Sequence, residues 1–425
     1  MTWSFWMAIA VTVLTVWALI KRYETRLVLL TSGLFMALVS LKPLVALQQF
    51  DKSMTNPALI IAICSAMGFA AVVSLTRCDL HLVALLTRPL KRMGIFLLPA
   101  CMIVTGIVAV AIPSTAGCCA AVAPTLIPLL IRAGFKPVAA AAAVVASITP
   151  TFLNPGVSHN VFIAKLSGME VMQFIGGHYL TTVGLAVLVV IGLTAVCLLF
   201  KDYDSAGMSA GGLTDAAQSA DAALPEKPNV LFALAPLVPV VILILASVFA
   251  PQAKISVATA MILGTVYAIA ITRSSPQEVV KRFFDGMGKG YGNILGIIIA
   301  AGVFAAGLKS AGVIDVFINY LTSAQSVAKL GGSIGPYLLG VLTGSGDAAA
   351  FAFNEAVTPH AAQFGLAPEK LGYLAAMAAS FGRQSSPLAG GMILVAGVAG
   401  VSPIEIVKRT APVMFAALIV LYALS

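Results

Sequence analysis

The sequence predicts an all-α polytopic membrane protein built from two inverted repeats, each of about five transmembrane helices plus one re-entrant hairpin. Three observations predict this. Apolar runs recur along the whole chain, basic residues gather at the run ends of one side, and the two halves resemble each other in register.

Of 425 residues, 60% are hydrophobic and 10% charged, with a mean hydropathy of +1.02. A soluble domain carries about 25% charged residues, so the division into apolar core and charged surface is absent. The first apolar run, 4–20, lacks a basic leader and a small-residue cleavage site, and is expected to be the first span. Further full spans are expected at 27–42, 58–75, 137–170, 176–200, 229–250, 255–272, 292–310, 368–400 and 408–424. The apolar segments 95–133 and 333–364 each break sharply in the middle at Pro, Ser or Gly, which predicts two re-entrant hairpins. Segments 79–92 and 276–289 mix apolar and basic residues and are expected to lie at the interface. The polar stretch 201–228 divides the chain into a first repeat, 1–200, and a second, 229–425, and is expected to be a cytoplasmic linker.

An N-terminus placed outside puts 17 of the 25 Lys and Arg in inside loops and six outside, with Lys165 and Arg383 inside spans. That bias supports periplasmic N- and C-termini, and it would blur if either hairpin were a full crossing. It also accounts for the net charge of +9, which marks topology rather than a nucleic-acid footprint. The six cysteines show no metal-ligand spacing and are expected to be small packing residues. No metal or cofactor is expected. An intramembrane enzyme would need a nucleophile–base pair or a metal cluster, and four scattered histidines offer neither.

Self-similarity across the linker is the strongest pattern. Ser114, Gly134 and Pro137 are answered by Ser345, Gly365 and Pro368 at a separation of 231; Ser147 is answered by Ser380 and Gly168 by Gly400. An odd number of crossings per half would insert the second copy upside down. Such repeats are typical of secondary transporters, whose substrate sites lie where interrupted helices meet.

Four interruptions stand out. The hairpin tips run from Ile112 to Gly117 and from Thr343 to Ala348; the broken spans run from Thr149 to Asn160 and from Ser380 to Gly391. Unwound backbone at membrane depth is tolerated only against protein or a water-filled cavity. The helix N-termini it creates offer free N–H groups and a partial positive charge, which suits a carboxylate. Pro and Gly also kink helices whose backbone Ser and Thr re-satisfy, which is the alternative for any one break; four such breaks in symmetric register favour a small-anion site. Candidate substrate-binding residues are therefore Ser114, Thr115, Asn154, His159, Ser345, Gly346, Arg383, Ser385 and Ser386. Arg383 leads this set, because a charge near the bilayer centre costs about 2.5–3.5 kcal/mol and its planar fork matches a carboxylate. The alternative for Arg383 is a structural pairing with Asp347 or Glu355. Asp347, with Ser345 and Ser114, is the coupling-ion candidate: proton acceptor, cation ligand or counter-ion of Arg383. Glu355 reads as a structural carboxylate, His159 as donor or packing residue, and Lys165 as snorkelling outward.

These motifs resemble the DcuC-type C4-dicarboxylate carriers of the ion-transporter superfamily. The resemblance is densest over Ala300–Leu308, Thr343-Gly344-Ser345-Gly346, Gly382-Arg383-Gln384-Ser385-Ser386-Pro387 and Ser402–Thr410, and extends more weakly to about Ile61. It implies transport of dicarboxylates such as succinate, fumarate and malate in the bacterial inner membrane, coupled to protons, sodium or exchange. It also implies a homodimer with a scaffold and a mobile, elevator-like transport domain. Ser114, Thr115, Ser345 and Arg383 match the family's tip and broken-helix motifs. Two positions depart from the pattern: Asp347 stands in place of Asn, and Ser158-His159-Asn160 in place of a Gly-Asp pair. The departures imply altered coupling or substrate, with a cation/proton antiporter of the same superfamily as the alternative.

Overall fold

A computed structural model describes residues 3–21, 23–87, 94–112, 114–204, 227–249, 255–314 and 325–425, together with 225, 252 and 316. Most of the expected linker, 205–224, lies outside them, as do Pro113 and the end of segment 79–92. Among the described residues the chain is helical, with one isolated antiparallel bridge between Phe135 and Tyr203. Seven helical runs are long and apolar enough to cross a membrane, and shorter apolar helices accompany them.

The first half begins with α1 (Trp3–Ile20) and α2 (Thr25–Val39). Next comes α3 (Pro43–Met54), then a π-helical turn at Ile60–Cys64 that leads into α4 (Ser65–Leu75). α5 (Cys78–Thr87) follows, then α6 (Leu97–Ala111), a break, and α7 (Thr115–Arg132). α8 (Pro137–Ala146) is separated from α9 (Ser158–Leu166) by a 3-10 turn, and the long α10 (Val171–Leu199) closes the half.

The second half follows a similar order, with no described counterpart of α5. A run from Val230 ends in α11 (Val238–Phe249), followed by α12 (Val257–Thr272). α13 (Pro276–Lys289) enters a π-helical turn at Gly290–Leu295 and continues as α14 (Gly296–Ser310). α15 (Gln325–Thr343) breaks before α16 (Gly346–Ala356). α17 (Pro368–Gln384) breaks before α18 (Gly390–Ala399), and α19 (Pro403–Leu424) ends the chain.

The residues paired by the sequence repeat hold equivalent places. Pro137 and Pro368 both open helices. There the fixed φ suits the first turn and the missing N–H costs nothing. Gly134 and Gly365 both adopt positive φ, as do Gly168 and Gly400, a conformation that side chains resist. Ser114 and Ser345 both cap a helix N-terminus, accepting from the N–H of Gly117 and of Ala348 at 3.3 Å. The one mismatch is at Ser147 and Ser380: Ser147 ends α8, whereas Ser380 lies inside α17, which runs on to Gln384.

Packing between the halves is reciprocal. α13 lies on α4, where Gly68 and Gly286 let the backbones approach. α3 lies on α14, where Gly302 admits Ser53 and Gln49. Without a hydrophobic drive between helices in lipid, such small-residue contacts supply the association through close packing. α2 and α14 meet in the same way, Gly33 resting against Gly307 and the Val303 backbone.

The structure refines four expectations. Residues 43–54, which fall between the expected spans 27–42 and 58–75, form α3; its apolar residues are too few for a span but suffice to pack one face on α14. Segment 276–289, expected at the interface, forms α13, which runs on through the π turn into α14. In the other such segment, α5 buries Leu82, Val83 and Ala84 against the rest of the protein. The expected hairpin at 333–364 begins earlier, at Gln325. All six cysteines are free and buried, as their reading as packing residues requires.

Candidate substrate site

Each of the four breaks delivers one side chain to a common point. The first tip brings Thr115 and the first broken span brings His159. The second tip contributes Asp347 and the second broken span Arg383. Arg383 is the hub: its Nη2 donates to Thr115 Oγ1 at 2.7 Å, and its Nη1 to Asp347 Oδ1 at 3.3 Å. His159 Nε2 meets the same Asp347 Oδ1 at 3.0 Å. The His159 side chain is 7% exposed, Arg383 19% and Asp347 38%, so the carboxylate is the most open member of the triad.

Local sequence explains these positions. Asp347 is the second residue of α16, just past the cap Ser345, where a carboxylate is favoured by the helix dipole. Thr115 holds the corresponding first position of α7, behind the cap Ser114. Both helices therefore aim their first-turn N–H groups, which have no partner within the helix, at the junction. Arg383 sits in the last turn of α17, where the dipole favours a cation. Gly344, at φ 71°, and Gly346 allow the tip to press on the Leu388 backbone and on Ala379 and Arg383. A stack of rings steadies His159: Phe152 lies parallel at 5.7 Å, and Phe351 sits at 4.7 Å on another side.

The remaining candidates are spent on backbone. Asn154 donates to Val110 O at 2.6 Å and accepts from Gly156 N at 2.7 Å, closing the first break onto the end of α6. Thr151 does the same for Ala109 O at 2.9 Å. Ser385 donates to Phe381 O at 2.9 Å and accepts from the Tyr337 hydroxyl at 3.3 Å. Ser386 accepts from Leu388 N at 3.2 Å and is fully buried. Ser114 and Ser345 act as caps, and Gly346 as a close-packed backbone position. What is left for a ligand is the hydroxyl proton of Thr115 and the Nη1 of Arg383 that Asp347 holds at 3.3 Å; the Nε of Arg383 has no partner among the described residues but is itself buried. The Nδ1 of His159 is likewise unpartnered. The expected alternative for Arg383, a pairing with Asp347, is thus realised, while the pairing with Glu355 is not. Glu355 instead accepts from Gln49 at 3.3 Å, and with Lys165 it lines a separate cavity.

Sequence reasoning missed Phe152, Phe351 and Tyr337. Phe152 was visible as the aromatic residue inside the first break, and Phe351 as the residue one helical turn after Asp347; Tyr337 had no distinguishing signal.

Residues 39–424 match the family described as the C4-dicarboxylate anaerobic carrier, DcuC. An uncharacterized transporter of Haemophilus influenzae is 44% identical over 275 residues, covering 63% of this chain and 98% of its own length. The anaerobic C4-dicarboxylate transporter DcuC of Escherichia coli K12 is 29% identical over 377 residues, covering 86% of this chain and 79% of its own length. The crystal structure of the Alcanivorax borkumensis YdaH transporter shares the fold, with a TM-score of 0.58 at 16% identity over 89% of this chain and 86% of that one.

Proposed function

Because the chain belongs to the DcuC family of C4-dicarboxylate carriers, which are transporters and not enzymes, we propose that it moves dicarboxylates of the succinate, fumarate and malate type across the bacterial inner membrane by alternating access. The observation that carries this reading is the convergence of all four helix breaks on Arg383. A substrate carboxylate that replaces Asp347 gains the Nη1 of the guanidinium and the Thr115 hydroxyl. The second carboxylate falls to the first-turn N–H groups of α7 or α16.

Asp347 makes the binding conditional. It already holds Arg383, so a substrate carboxylate and the Asp347 carboxylate compete for one cation. A proton on the His159–Asp347 pair removes the competitor and admits the substrate, which couples the two without a separate ion site. Both nitrogen contacts to Asp347 fall on Oδ1, so the proton reading rests on the His159 contact, and sodium dependence of counterflow separates it from a cation at Oδ2.

Repetition of the element order and the reciprocal packing of α13 on α4 and α3 on α14 support two inverted halves, with periplasmic termini, re-entrant tips and a mobile unit around the site. A homodimer is in keeping with the apolar outer faces of α1 and α10. The test is dicarboxylate counterflow in proteoliposomes. It is expected to be saturable in the wild type and lost in Arg383→Ala. Full activity in that variant would remove Arg383 from the substrate site, and cation-driven pH change without any organic anion would favour the antiporter.

A further inference from the structure

The two helices that carry His159 and Asp347 in their first turns carry a second set of charges at their other ends. Lys165 lies in the last turn of α9 and Glu355 in the last turn of α16, about 9 and 12 Å along their helices from the site. Between them and α3 opens a cavity of about 470 Å³. Gln49 and Lys52 of α3, Phe162, Lys165 and Glu355 line it. The volume is ample for a four-carbon diacid with its water.

Its charge is what an anion needs. Lys52 and Lys165 are both exposed, and neither forms an ion pair with a described residue. Both share the cavity wall with Glu355, so two cations stand with a single carboxyl group. That carboxylate is oddly placed for a structural role. It stands at a helix C-terminus, against the dipole, and is held by Gln49 Nε2 at 3.3 Å rather than by a lysine. It offers the lysines a tethered anion that a free one can replace.

A thin aromatic layer separates cavity and site. Phe162, on the cavity wall, packs edge-on to Phe351 at 5.2 Å, and Phe351 packs on His159 at 4.7 Å. Both phenyl rings are buried. The site is therefore closed toward the cavity by one pair of rings in this conformation.

We propose that the cavity is an anion-docking vestibule, in which Lys52 and Lys165 hold an incoming dicarboxylate before it passes the Phe162–Phe351 layer, with Glu355 as the built-in competitor. The proposal rests on the dicarboxylate-carrier reading. It requires asymmetry, because the vestibule serves a single face of the membrane.

The experiment measures succinate counterflow in proteoliposomes of fixed orientation, with substrate presented from each face in turn. Wild type is compared with Lys52→Gln/Lys165→Gln and with Glu355→Gln. The double lysine variant is expected to raise KM about tenfold from the vestibule face alone, with kcat little changed. Glu355→Gln is expected to lower KM several-fold from that same face, and both shifts should shrink as salt is raised. Opposite shifts cannot come from general damage to the fold. An unchanged KM in the double lysine variant, equal shifts from both faces, or a raised KM in Glu355→Gln would each overturn the vestibule while leaving the carrier reading intact. Absence of any dicarboxylate counterflow in the wild type would overturn the carrier reading and the vestibule with it.

Discussion

Replacing Asp347 by Asn keeps the shape of the second tip and removes its charge. The Asp347 carboxylate holds Arg383 at 3.3 Å and is 38% exposed, against 19% for the guanidinium. A charge-assisted hydrogen bond of this kind contributes about 1.5–3 kcal/mol when dry, and less with one partner in contact with solvent. About 1–2 kcal/mol is a reasonable figure for what a substrate carboxylate must overcome to take Arg383. Removing that competitor should lower the dissociation constant about 5- to 30-fold, since each 1.4 kcal/mol is a factor of ten. The same change removes the acidic group of the His159–Asp347 pair. Counterflow at equal pH on both sides should therefore continue in Asp347→Asn with a lower KM. Accumulation driven by an imposed pH gradient should be lost. The assay is radiolabelled succinate uptake in proteoliposomes, with and without the gradient. A raised or unchanged KM together with intact pH-driven accumulation would refute both the competition and the coupling role.

Thr115→Val keeps the shape of the side chain and removes the hydroxyl that donates to a substrate carboxylate. That lost bond, about 1–2 kcal/mol, should raise KM for dicarboxylate counterflow roughly 5- to 30-fold, with the protein still folded. Arg409→Met breaks the bidentate pair to Asp202, at 3.0 and 3.2 Å, and strands a fully buried carboxylate with only Lys136 nearby at 3.5 Å. A loss of about 3 kcal/mol is expected, read as a lower temperature of aggregation in detergent, with Arg409→Met/Asp202→Leu more stable than the single variant. Gly382→Ala would place a methyl 2.1 Å from the Tyr337 carbonyl, where α15 and α17 cross. This variant should accumulate poorly in the membrane, as measured by quantitative immunoblot, because backbone cannot yield as a flexible side chain can.

Features with a local backbone signature were legible in the sequence. Pro137 and Pro368 announce helix starts, Gly134 and Gly365 announce left-handed turns, and Ser114 and Ser345 announce caps, whatever the rest of the chain does. The breaks and the repeat followed from them. α3 was not legible, because its 12 residues mix Gln, Asp and Lys with a short apolar stripe. Such a pattern becomes a helix only once α14 supplies the facing surface. Nor could the sequence say which polar residues of a break turn to the backbone. Asn154, Ser385 and Ser386 share the composition of a ligand shell, yet each is committed to a carbonyl or an N–H within its own break. The contact of His159 with Asp347, 188 residues apart, is a matter of tertiary placement.

The division of labour among the polar groups bears on how such a site can move. An interrupted helix leaves carbonyls and N–H groups unmatched, and each costs about 1–3 kcal/mol if left so in a dry interior. At this junction those groups are matched within one half. Thr151 and Asn154 serve Ala109 and Val110 in the first half; in the second, Thr410 donates to Gln384 O at 2.9 Å and Ser386 accepts from Leu388 N at 3.2 Å. The bonds that cross between halves at the site are those of Arg383 to Thr115 and His159 to Asp347, made by side chains and partly open to solvent. Exchanging these bonds for bonds to a substrate leaves the backbone of every break satisfied. A carrier must form and release its complex many times without refolding its site, and that requires the obligatory hydrogen bonds and the switchable ones to be carried by different residues.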